Sequence, residues 1–471
     1  MTECKTEPYE FHALGNREVV GHFDGGDITT DAGGLLLREV EQRTGIIRRF
    51  AACFRDYRDP RFIEFTVQEL VAQRVYGLDL GYEDLNDHDQ LRADPALAVM
   101  VGKEDPKGEH RRVEQDRGKA LAGKSTLNRL ELTRHEAFST DRYKKIGRDD
   151  AAIDRLMVDY FLEAHEKPPL QIILDADATD DPIHGNQEGR FYHGYYGHYC
   201  YLPLYIFCGE FLLCARLRKA DIDACAGTVD EVKRIVSQIR QKWPRVKILL
   251  RGDSGFCREE ILAWCEANDV DYVIGLAKNA VLIREIEKEL EKAKKKFQKT
   301  GKAARYFKHF QYSTKDSWSR KRRVIAKAEH LMKGSNPRFV VTSLPSREMG
   351  ARYIYERTYC ARGDMENRIK EQQLGLFADR TSTATMHANQ LRLYFSSVAY
   401  MLMQTMRRIG LKDTSLANAQ CSTIRLKLLK IGAQVQVTVR RVWFRMASGC
   451  PYADVFAQAY TNIRNLPLMR C

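Results

Sequence analysis

Three kinds of feature are absent from the sequence, and each absence excludes a class of protein. There is no uninterrupted apolar run of about 18 residues, the length that a membrane-spanning helix needs, and residues 1–7 contain no apolar segment of a secretion signal. The 12 cysteines form no Cys-x-x-Cys pair and have no zinc-type histidine spacing, and several lie inside apolar segments. These absences predict a reduced, cytoplasmic protein with no membrane partner and no structural zinc site.

Acidic residues are too few to balance the basic ones. The 471 residues include 76 Lys and Arg against 63 Asp and Glu, which gives a formal net charge of +13. Such a charge favours a polyanionic partner, with nucleic acid as the leading candidate. Between residues 292 and 327 the only acid is Asp316, and aromatic residues alternate with the cations. A solvated face is the ordinary explanation of a charge run, but this pattern favours DNA-backbone contact, with Lys321, Arg322 and Arg323 as candidate contacts.

A cluster of carboxylates follows an apolar run at residues 171–174, which is typical of a buried strand. Because side chains alternate along a strand, Asp175 and Asp177 are expected on one face, and such a pair is costly to bury unless a cation binds it. We interpret the pair as one wall of a metal site, with Asp177 ranked above Asp175. Asp180 and Asp181, which precede a proline, are interpreted as turn residues.

The segment after residue 170 alternates between strand and helix patterns. The patterns predict an aromatic hairpin over 191–199, strands over 201–208 and 211–217, a helix over 229–243, a strand over 246–250, a helix over 258–267 and a strand over 272–276. This β-β-β-α-β-α-β order is that of the ribonuclease-H-like fold, in which the first and fourth strands are neighbours. Asp177 and Asp253 follow those two strands, so the order predicts that they lie a few ångströms apart and bind Mg²⁺. Asp253 alone would be read as a turn residue before Ser-Gly.

A second cluster of polar residues follows on a predicted helix over 359–370. Spacings of 3, 4 and 4 place Tyr359, Arg362, Glu366 and Lys370 on one face if the helix is continuous, although Gly363 weakens it. A surface ladder of ion pairs is the ordinary explanation. After the last strand, however, a third acid in this position would complete the metal site.

One motif match is discounted. The segment Gly118-Lys-Ala-Leu-Ala-Gly123-Lys-Ser125 fits the phosphate-loop pattern, but that mechanism needs a buried strand before the loop. Residues 108–117 are too charged to form one. We therefore expect no nucleotide cofactor, and we expect Ser125 or Thr126 to cap the following helix.

These motifs together resemble the bacterial insertion-sequence DDE transposases, in the subgroup with a β-rich insertion and a Tyr-Arg-Glu-Lys signature. The resemblance is carried by Asp177-Ala-Thr179, by Arg-Gly-Asp253-Ser-Gly-Phe and by Tyr359-x2-Arg362-x3-Glu366-Asn, and it extends to Asn389-Gln390 and to residues 428–433. In the signature, six residues separate the Glu from the Lys. At the position of that Lys, this chain has Gln373. Lys370, one turn after Glu366, is the candidate replacement.

The resemblance implies a fold, a site and a cofactor. The fold is an α/β, ribonuclease-H-like mixed sheet with helices, a β-containing insertion before the last catalytic helix, and a helical N-terminal region. Asp177, Asp253 and Glu366 would be both the catalytic residues and the metal ligands, holding two Mg²⁺ ions for which Mn²⁺ substitutes. Tyr359 and Arg362 would contact DNA beside the scissile phosphate.

The resemblance also implies an activity. The enzyme would bind the terminal inverted repeats of an insertion sequence, cleave double-stranded DNA at the element ends and join those ends to target DNA by two-metal phosphoryl transfer. Acting on two ends implies a homodimer, in a cytoplasmic, nucleoid-associated protein. The alternatives are a Mg²⁺-dependent nuclease without strand transfer and a non-catalytic DNA-binding protein derived from a transposase.

The chain length exceeds one ordinary domain, and we find no repeat or long linker that marks a boundary. We expect a mainly helical DNA-binding region over 1–165, the first part of the catalytic domain over 166–280, a basic β-containing insertion over 281–345, the rest of the catalytic domain over 346–420, and a basic C-terminal segment over 421–471.

Overall fold

The computed structural model describes residues 8–132, 137–142 and 144–467. Its chain divides into two units by internal packing: unit 1 comprises Met1–Arg148, Gly375–Phe377 and Val398–Cys471, and unit 2 comprises Asp149–Leu374 and Ala378–Ser397. Among the described residues, no helix is both long enough and apolar enough to cross a membrane. The cysteines in these ranges are free thiols, most of them buried.

Unit 1 is mainly helical. Its helices before residue 148 are α1 Leu35–Thr44, α2 Ile46–Ala51, α3 Val67–Leu80, α4 His88–Leu91, α5 Pro95–Val101 and α6 Lys124–Glu131. Its strands there are β1 Tyr9–Leu14, β2 Arg17–Gly21, β3 Ile28–Thr29, β4 Phe54–Asp56 and β5 Ile146–Arg148. Helices α1, α2 and α3 all contribute buried residues to its core. In α3, Thr66 and Glu69 close a capping box at the start and nearly all the later residues are buried.

The phosphate-loop match lies in unit 1. The segment before it, residues 102–123, is irregular apart from one 3₁₀ turn at Glu114–Asp116, so no strand leads into Gly118. The prediction that Ser125 or Thr126 caps the next helix is wrong, because α6 begins at Lys124 and both residues lie inside it. The Lys124 backbone N–H instead donates to Asp89 Oδ1 at 3.0 Å.

Unit 2 is built on a large mixed sheet. Its strands are β6 Gln171–Ala178, β7 Asp181–Pro182, β8 Phe191–His193, β9 His198–Tyr201, β10 Leu204–Cys208, β11 Phe211–Arg216, β12 Lys247–Gly252, β13 Asp271–Leu276, β14 Ala304–Tyr312, β15 Arg322–Leu331, β16 Gly334–Ser335 and β17 Arg338–Thr342. Its helices are α7 Asp150–Glu163, which precedes β6, and α8 Thr228–Lys242, α9 Glu259–Ala267, α10 Ala280–Glu285, α11 Glu287–Thr300, α12 Ala351–Tyr353 and α13 Gly363–Lys370. A long helix, α14 Met386–Thr405, begins in unit 2 and continues into the last segment of unit 1.

The last segment of unit 1 follows α14. It contains α15 Cys421–Ile424, β18 Ala433–Val437, β19 Val442–Met446 and α16 Ala453–Arg464. Strands β18 and β19 pair with each other, and β18 also pairs with β3, so the two ends of the chain share one small sheet.

The main sheet has the strand order β11-β10-β6-β12-β13-β17-β15-β14, with β16 attached to β15. Strand β12 is parallel to both β6 and β13, and the other pairs are antiparallel. The predicted succession is therefore observed as β6, β10, β11, α8, β12, α9, β13, with the first and fourth strands side by side.

The two faces of this sheet are covered by separate hydrophobic clusters. Alternate residues of the central strands enter one or the other: Ile248 and Leu250 pack with α7, α8 and α9, whereas Leu249 packs with Ile354 and Tyr355. Ile173 packs on the second face, and the period of two puts Asp175 and Asp177 on that face as well. Both carboxylates thus face the segment that leads into α13.

The strands between residues 281 and 345 do not form a sheet of their own. Strand β17 pairs with β13, and β15 and β14 follow outward, so they extend the main sheet. The aromatic hairpin is observed as β8 and β9, which form a small sheet with β7. Asp181 lies in β7 and not in a turn, because its strand pairs with Cys200 and Tyr201.

Candidate active site

The register of two parallel strands brings the first two candidate acids together. Asp175 lies opposite Arg251, and Ala176 lies opposite Gly252. Asp177 and Asp253 are the next residues after this last observed pair, and Asp253 begins the turn that follows β12. Since neighbouring strands are about 4.8 Å apart, the two carboxylate-bearing residues are adjacent.

The turn after β12 fixes Asp253. Its Oδ1 accepts a hydrogen bond from the Gly255 backbone N–H at 2.8 Å, so the turn role expected of an Asp before Ser-Gly is also observed. Gly275 on β13 lies against this turn: a Cβ there would come within 2.6 Å of the Tyr359 hydroxyl and 2.8 Å of the Ser254 nitrogen. Glycine is therefore needed at this position, and Tyr359 packs beside the Asp253 turn.

The segment that leads into α13, which carries the third acid, is helical, but its geometry is irregular. Ile354–Tyr359 form a π-helical turn and Cys360–Arg362 a 3₁₀ turn before α13 begins at Gly363. The prediction that one helix face carries Tyr359, Arg362, Glu366 and Lys370 assumed a regular helix. The π-helical and 3₁₀ turns change the angle about the helix axis between the side chains of Tyr359 and Arg362. Arg362 and Glu366, one turn apart, do meet.

The Arg362 guanidinium joins two of the candidate acids. Nη1 lies 3.0 Å from Asp177 Oδ2, and Nη2 lies 2.8 Å from Glu366 Oε1. The side chains of Asp177 and Arg362 are 14% and 15% exposed, and that of Glu366 is 48% exposed. One cation thus links the end of β6 to α13, with one side of the group open to solvent.

Asp253 belongs to the same electrostatic group. Burial, which is the largest cause, acts with the charges of Asp253 and Glu366 against the lowering effect of Arg362, and the net result is a pKa of Asp177 raised to about 6. Burial lowers the pKa of Arg362, but Asp177, Glu366 and Asp253 outweigh this and the net pKa is raised. All three predicted acids therefore lie within electrostatic reach of a single guanidinium.

The donor chemistry of this group fits a hard divalent cation. Carboxylate oxygens are the ligands that Mg²⁺ and Mn²⁺ prefer, and two of the three acids already bind one positive group. Within residues 8–132, 137–142 and 144–467, no set of three or more His, Cys, Asp or Glu side chains is arranged to hold a metal ion. At the candidate site, Asp177 and Glu366 are instead paired with Arg362.

Asp175 has a different partner. Arg251 donates from Nε to Oδ1 of Asp175 at 2.5 Å and from Nη2 to Oδ2 at 2.6 Å. It also donates to the Thr358 and Ala361 carbonyls, so it ties β6 and β12 to the segment that carries Arg362. The sequence interpretation did not single out Arg251. Its signal was a charged residue in an otherwise apolar strand, which requires a buried partner.

The three basic residues proposed for DNA contact have separate environments. Lys321 is exposed. Arg322 is buried and its guanidinium binds Glu259 and Glu266 at 2.6–3.1 Å. Arg323 is also buried, and it donates to the Leu344 and Met349 carbonyls. We therefore withdraw Arg322 and Arg323 as DNA contacts and keep Lys321.

Lys370 and Gln373, near the end of α13, also have different environments. Lys370 is exposed. Gln373, at the position of the signature lysine, donates from Nε2 to the Asp180 carbonyl at 3.1 Å. Its amide thus binds the loop after β6, whereas a lysine would carry a free charge.

Comparison with known proteins gives one result that spans nearly the whole chain. The family model described as transposase DDE domain group 1 matches residues 11–468. A search of curated proteins finds no match.

Proposed function

The chain belongs to the DDE transposase family, and on that basis we propose that it binds the ends of an insertion sequence, cuts the DNA there and joins the ends to target DNA. We propose a ribonuclease-H-like catalytic core for it, and a homodimer in the DNA complex because two ends must be processed together. The observation that carries the proposal is that Arg362 forms ion pairs with both Asp177 and Glu366, while Asp253 lies within electrostatic reach of the same guanidinium.

The three carboxylates are the proposed metal ligands. When bound, a pair of divalent cations supplies activation of water or of a DNA 3′-hydroxyl and neutralises charge on the leaving oxygen. The contribution of the chain itself would be position: Asp177 lies in β6, Asp253 directly follows its neighbour β12, and Glu366 lies on α13. No protein nucleophile and no nucleotide cofactor are needed.

The proposed role of Arg362 is to exchange partners. Its planar guanidinium fits a phosphate as well as a carboxylate, so it is free to bind the scissile phosphate once cations occupy the carboxylates. The Tyr359 hydroxyl, beside the Asp253 turn, would contact the same stretch of DNA. Lys370 and Lys321, both exposed, would bind backbone phosphates further away.

An excision and joining assay tests the proposal. The gene for this chain with its flanking DNA is placed on a plasmid, and the purified full chain is added with Mg²⁺ or Mn²⁺. We expect released element ends and joined products from the unmodified protein. Asp177→Asn, Asp253→Asn and Glu366→Gln should each bind the DNA but yield neither product, because each removes one charged ligand.

A neighbouring acid provides the matched control. Asp364 lies on α13 two residues before Glu366 and is exposed, so Asp364→Asn should cut and join as the unmodified protein does. Cutting without joining would instead identify a nuclease, and binding without cutting would identify a non-catalytic DNA-binding protein. Joining by Asp253→Asn would refute the site.

A further inference from the structure

The hairpin of β8 and β9 carries a cluster of exposed aromatic rings. The exposed members are Phe191, Tyr192, Tyr195 and Tyr199. Tyr192 and Tyr199 lie opposite each other in the hairpin register, with ring centroids 5.5 Å apart and planes at 77°. Tyr195, in the turn, is 86% exposed. Burial of aromatic surface is favourable. Four aromatic rings exposed to solvent on one hairpin therefore indicate a binding surface.

The base of the hairpin is fixed beside the candidate active site. Tyr196 packs in one small cluster with Ala178, the residue after Asp177. His198 Nε2 lies 2.9 Å from Asp180 Oδ2, which ties β9 to the loop after β6. Consistent with this placement, burial together with the charges of Asp180 and Asp177 raises the pKa of Tyr196 to about 12.

The charges around the rings favour an anionic ligand. Residues 189–209 include no acid. Arg190 is exposed, and its guanidinium donates from Nη1 to the Gly185 carbonyl at 3.0 Å and lies 4.8 Å from the centroid of the Tyr199 ring. Lys219, also exposed, lies next to Tyr201 through an isolated β-bridge. Cations at the base of an aromatic hairpin are the combination that binds the phosphates and bases of single-stranded nucleic acid.

We propose that the β8–β9 hairpin is a stacking site for an unpaired nucleobase of DNA whose backbone lies at the candidate active site of Asp177, Asp253 and Glu366. The inference rests on the proposed function for the presence of DNA there, and it adds a site for one part of that DNA. Tyr195 and Tyr199 are the rings that would stack on the base, and Arg190 would bind the adjoining phosphate.

Two physical reasons favour an unpaired base over other partners. In a duplex the faces of the bases are covered by neighbouring bases, so a ring can stack only where a base is unpaired or terminal. A second copy of this chain would bring another +13 of charge towards a hairpin that already carries Arg190, so like-charge repulsion disfavours it as the occupant.

A fluorescence experiment tests the proposal without any cleavage step. The probe is a DNA duplex with a short single-stranded overhang that contains 2-aminopurine, whose fluorescence is quenched by stacking. The protein is the full chain carrying Asp253→Asn, in EDTA. We expect quenching on binding, and tighter binding to the overhang probe than to the same duplex with blunt ends.

Substitutions in the hairpin identify the stacking rings. Tyr195→Ala and Tyr199→Ala should each weaken binding of the overhang probe about 5- to 100-fold, the range for loss of one base–aromatic stack, and should reduce quenching. Tyr195→Phe should retain both, whereas Tyr195→Leu should lose both, because an aliphatic side chain has no ring face. Thermal unfolding of each variant checks that the hairpin change leaves the fold intact; Tyr195 is so exposed that its variants should unfold as the parent does.

Tyr460 on α16 is the matched control. Like Tyr199 it is 44% exposed and lies under an arginine, Arg464, at 5.8 Å, so Tyr460→Ala should bind the overhang probe as the parent does. Equal binding of overhang and blunt probes, or unchanged binding by Tyr195→Ala and Tyr199→Ala, would overturn the proposal. So would a loss of self-association with DNA binding intact, since that result would make the hairpin a protein interface.

The two proposals fail separately. If the unmodified protein excises the element but the hairpin variants bind the overhang like the parent, only the stacking site is refuted. If no divalent ion supports excision while the ring-dependent quenching is observed, the transposition proposal is refuted and the stacking site stands.

Discussion

Asp175 and Asp177 lie two residues apart on one face of β6, and each binds an arginine, but in different ways. Arg251 is buried, meets both oxygens of Asp175 and donates two further hydrogen bonds to backbone carbonyls. Arg362 binds one oxygen of Asp177 and one of Glu366, and Glu366 is half exposed. We call these the closed pair and the shared arginine. The closed pair can only hold its strands together, whereas the shared arginine can be replaced by another cation.

The largest expected effect is on the closed pair. Arg251→Met should lower the free energy of unfolding by about 3–5 kcal/mol, because Asp175 is left buried without its counter-charge. Urea unfolding measures the change. If the pair is structural, Asp175→Leu combined with Arg251→Met should recover much of the loss. A loss below about 1 kcal/mol, as for a surface ion pair, would remove the distinction between the two arginines.

Gly275→Ala tests how tightly the surroundings of the shared arginine are fixed. The new Cβ would meet the Tyr359 hydroxyl at 2.6 Å and the Asp253 turn at 2.8–3.1 Å, so we expect a loss of about 1–3 kcal/mol from overpacking together with loss of DNA joining. Urea unfolding and the joining assay measure these. Gly350→Ala is a suitable control, since no atom lies within 4 Å of a Cβ built there. Normal joining by Gly275→Ala would show that the Asp253 turn tolerates displacement.

Arg362→Gln tests whether the shared arginine competes with a metal ion. Removing this cation should raise the affinity for Mn²⁺ about threefold to tenfold, equivalent to roughly 0.7–1.4 kcal/mol, while DNA joining is lost. Titration with Mn²⁺ followed by electron paramagnetic resonance measures the affinity without any reaction. Arg368, on the same helix but bound to Glu210, supplies the control Arg368→Gln, which should leave Mn²⁺ affinity unchanged. Weaker Mn²⁺ binding by Arg362→Gln would contradict the competition.

The smallest expected effect comes from comparing an exposed and a buried cation at adjacent positions, Lys321 and Arg322. Lys321→Ala should weaken DNA binding about threefold at any sequence and reduce the slope of affinity against salt by about 1, as loss of one phosphate contact does. Arg322→Ala should instead destabilise the fold, because Glu259 and Glu266 lose a buried partner. Binding isotherms at several salt concentrations separate the two. A normal salt slope for Lys321→Ala would exclude it from the DNA interface.

The sequence predicted the central strands and the neighbours within the sheet well, for a physical reason. The apolar runs before Asp175 and Asp253 are short and bounded by turn residues, and the order of strands and helices permits few topologies. The adjacency of Asp177 and Asp253 followed from that order alone. It needed no knowledge of the side-chain contacts.

The contacts of the arginines were beyond the sequence patterns. Arg322 and Arg323 stand in a basic run, and nothing local distinguishes them from Lys321; the carboxylates that bind Arg322 lie 56 and 63 positions away. The same holds for Arg362, whose π-helical and 3₁₀ neighbours change the rotation that a regular helix would give. Burial and pairing with residues distant in sequence decide the role of each charged side chain. The local spacing of residues predicts neither.

The continuity of the main sheet has a consequence for the distance between the lysines of α11 and the Asp253 turn. Helix α11, which carries exposed Lys292, Lys295 and Lys299, packs on β14 and β15. Four strand-to-strand steps separate β14 from β12, the strand that ends at Asp253, or about 19 Å at about 4.8 Å per step. That span is about five to six base pairs of B-DNA at about 3.4 Å each. Since every step is a ladder of backbone hydrogen bonds, the sheet fixes this distance. Under the proposed function, it would set the separation between a backbone phosphate bound by α11 and the bond that is cut.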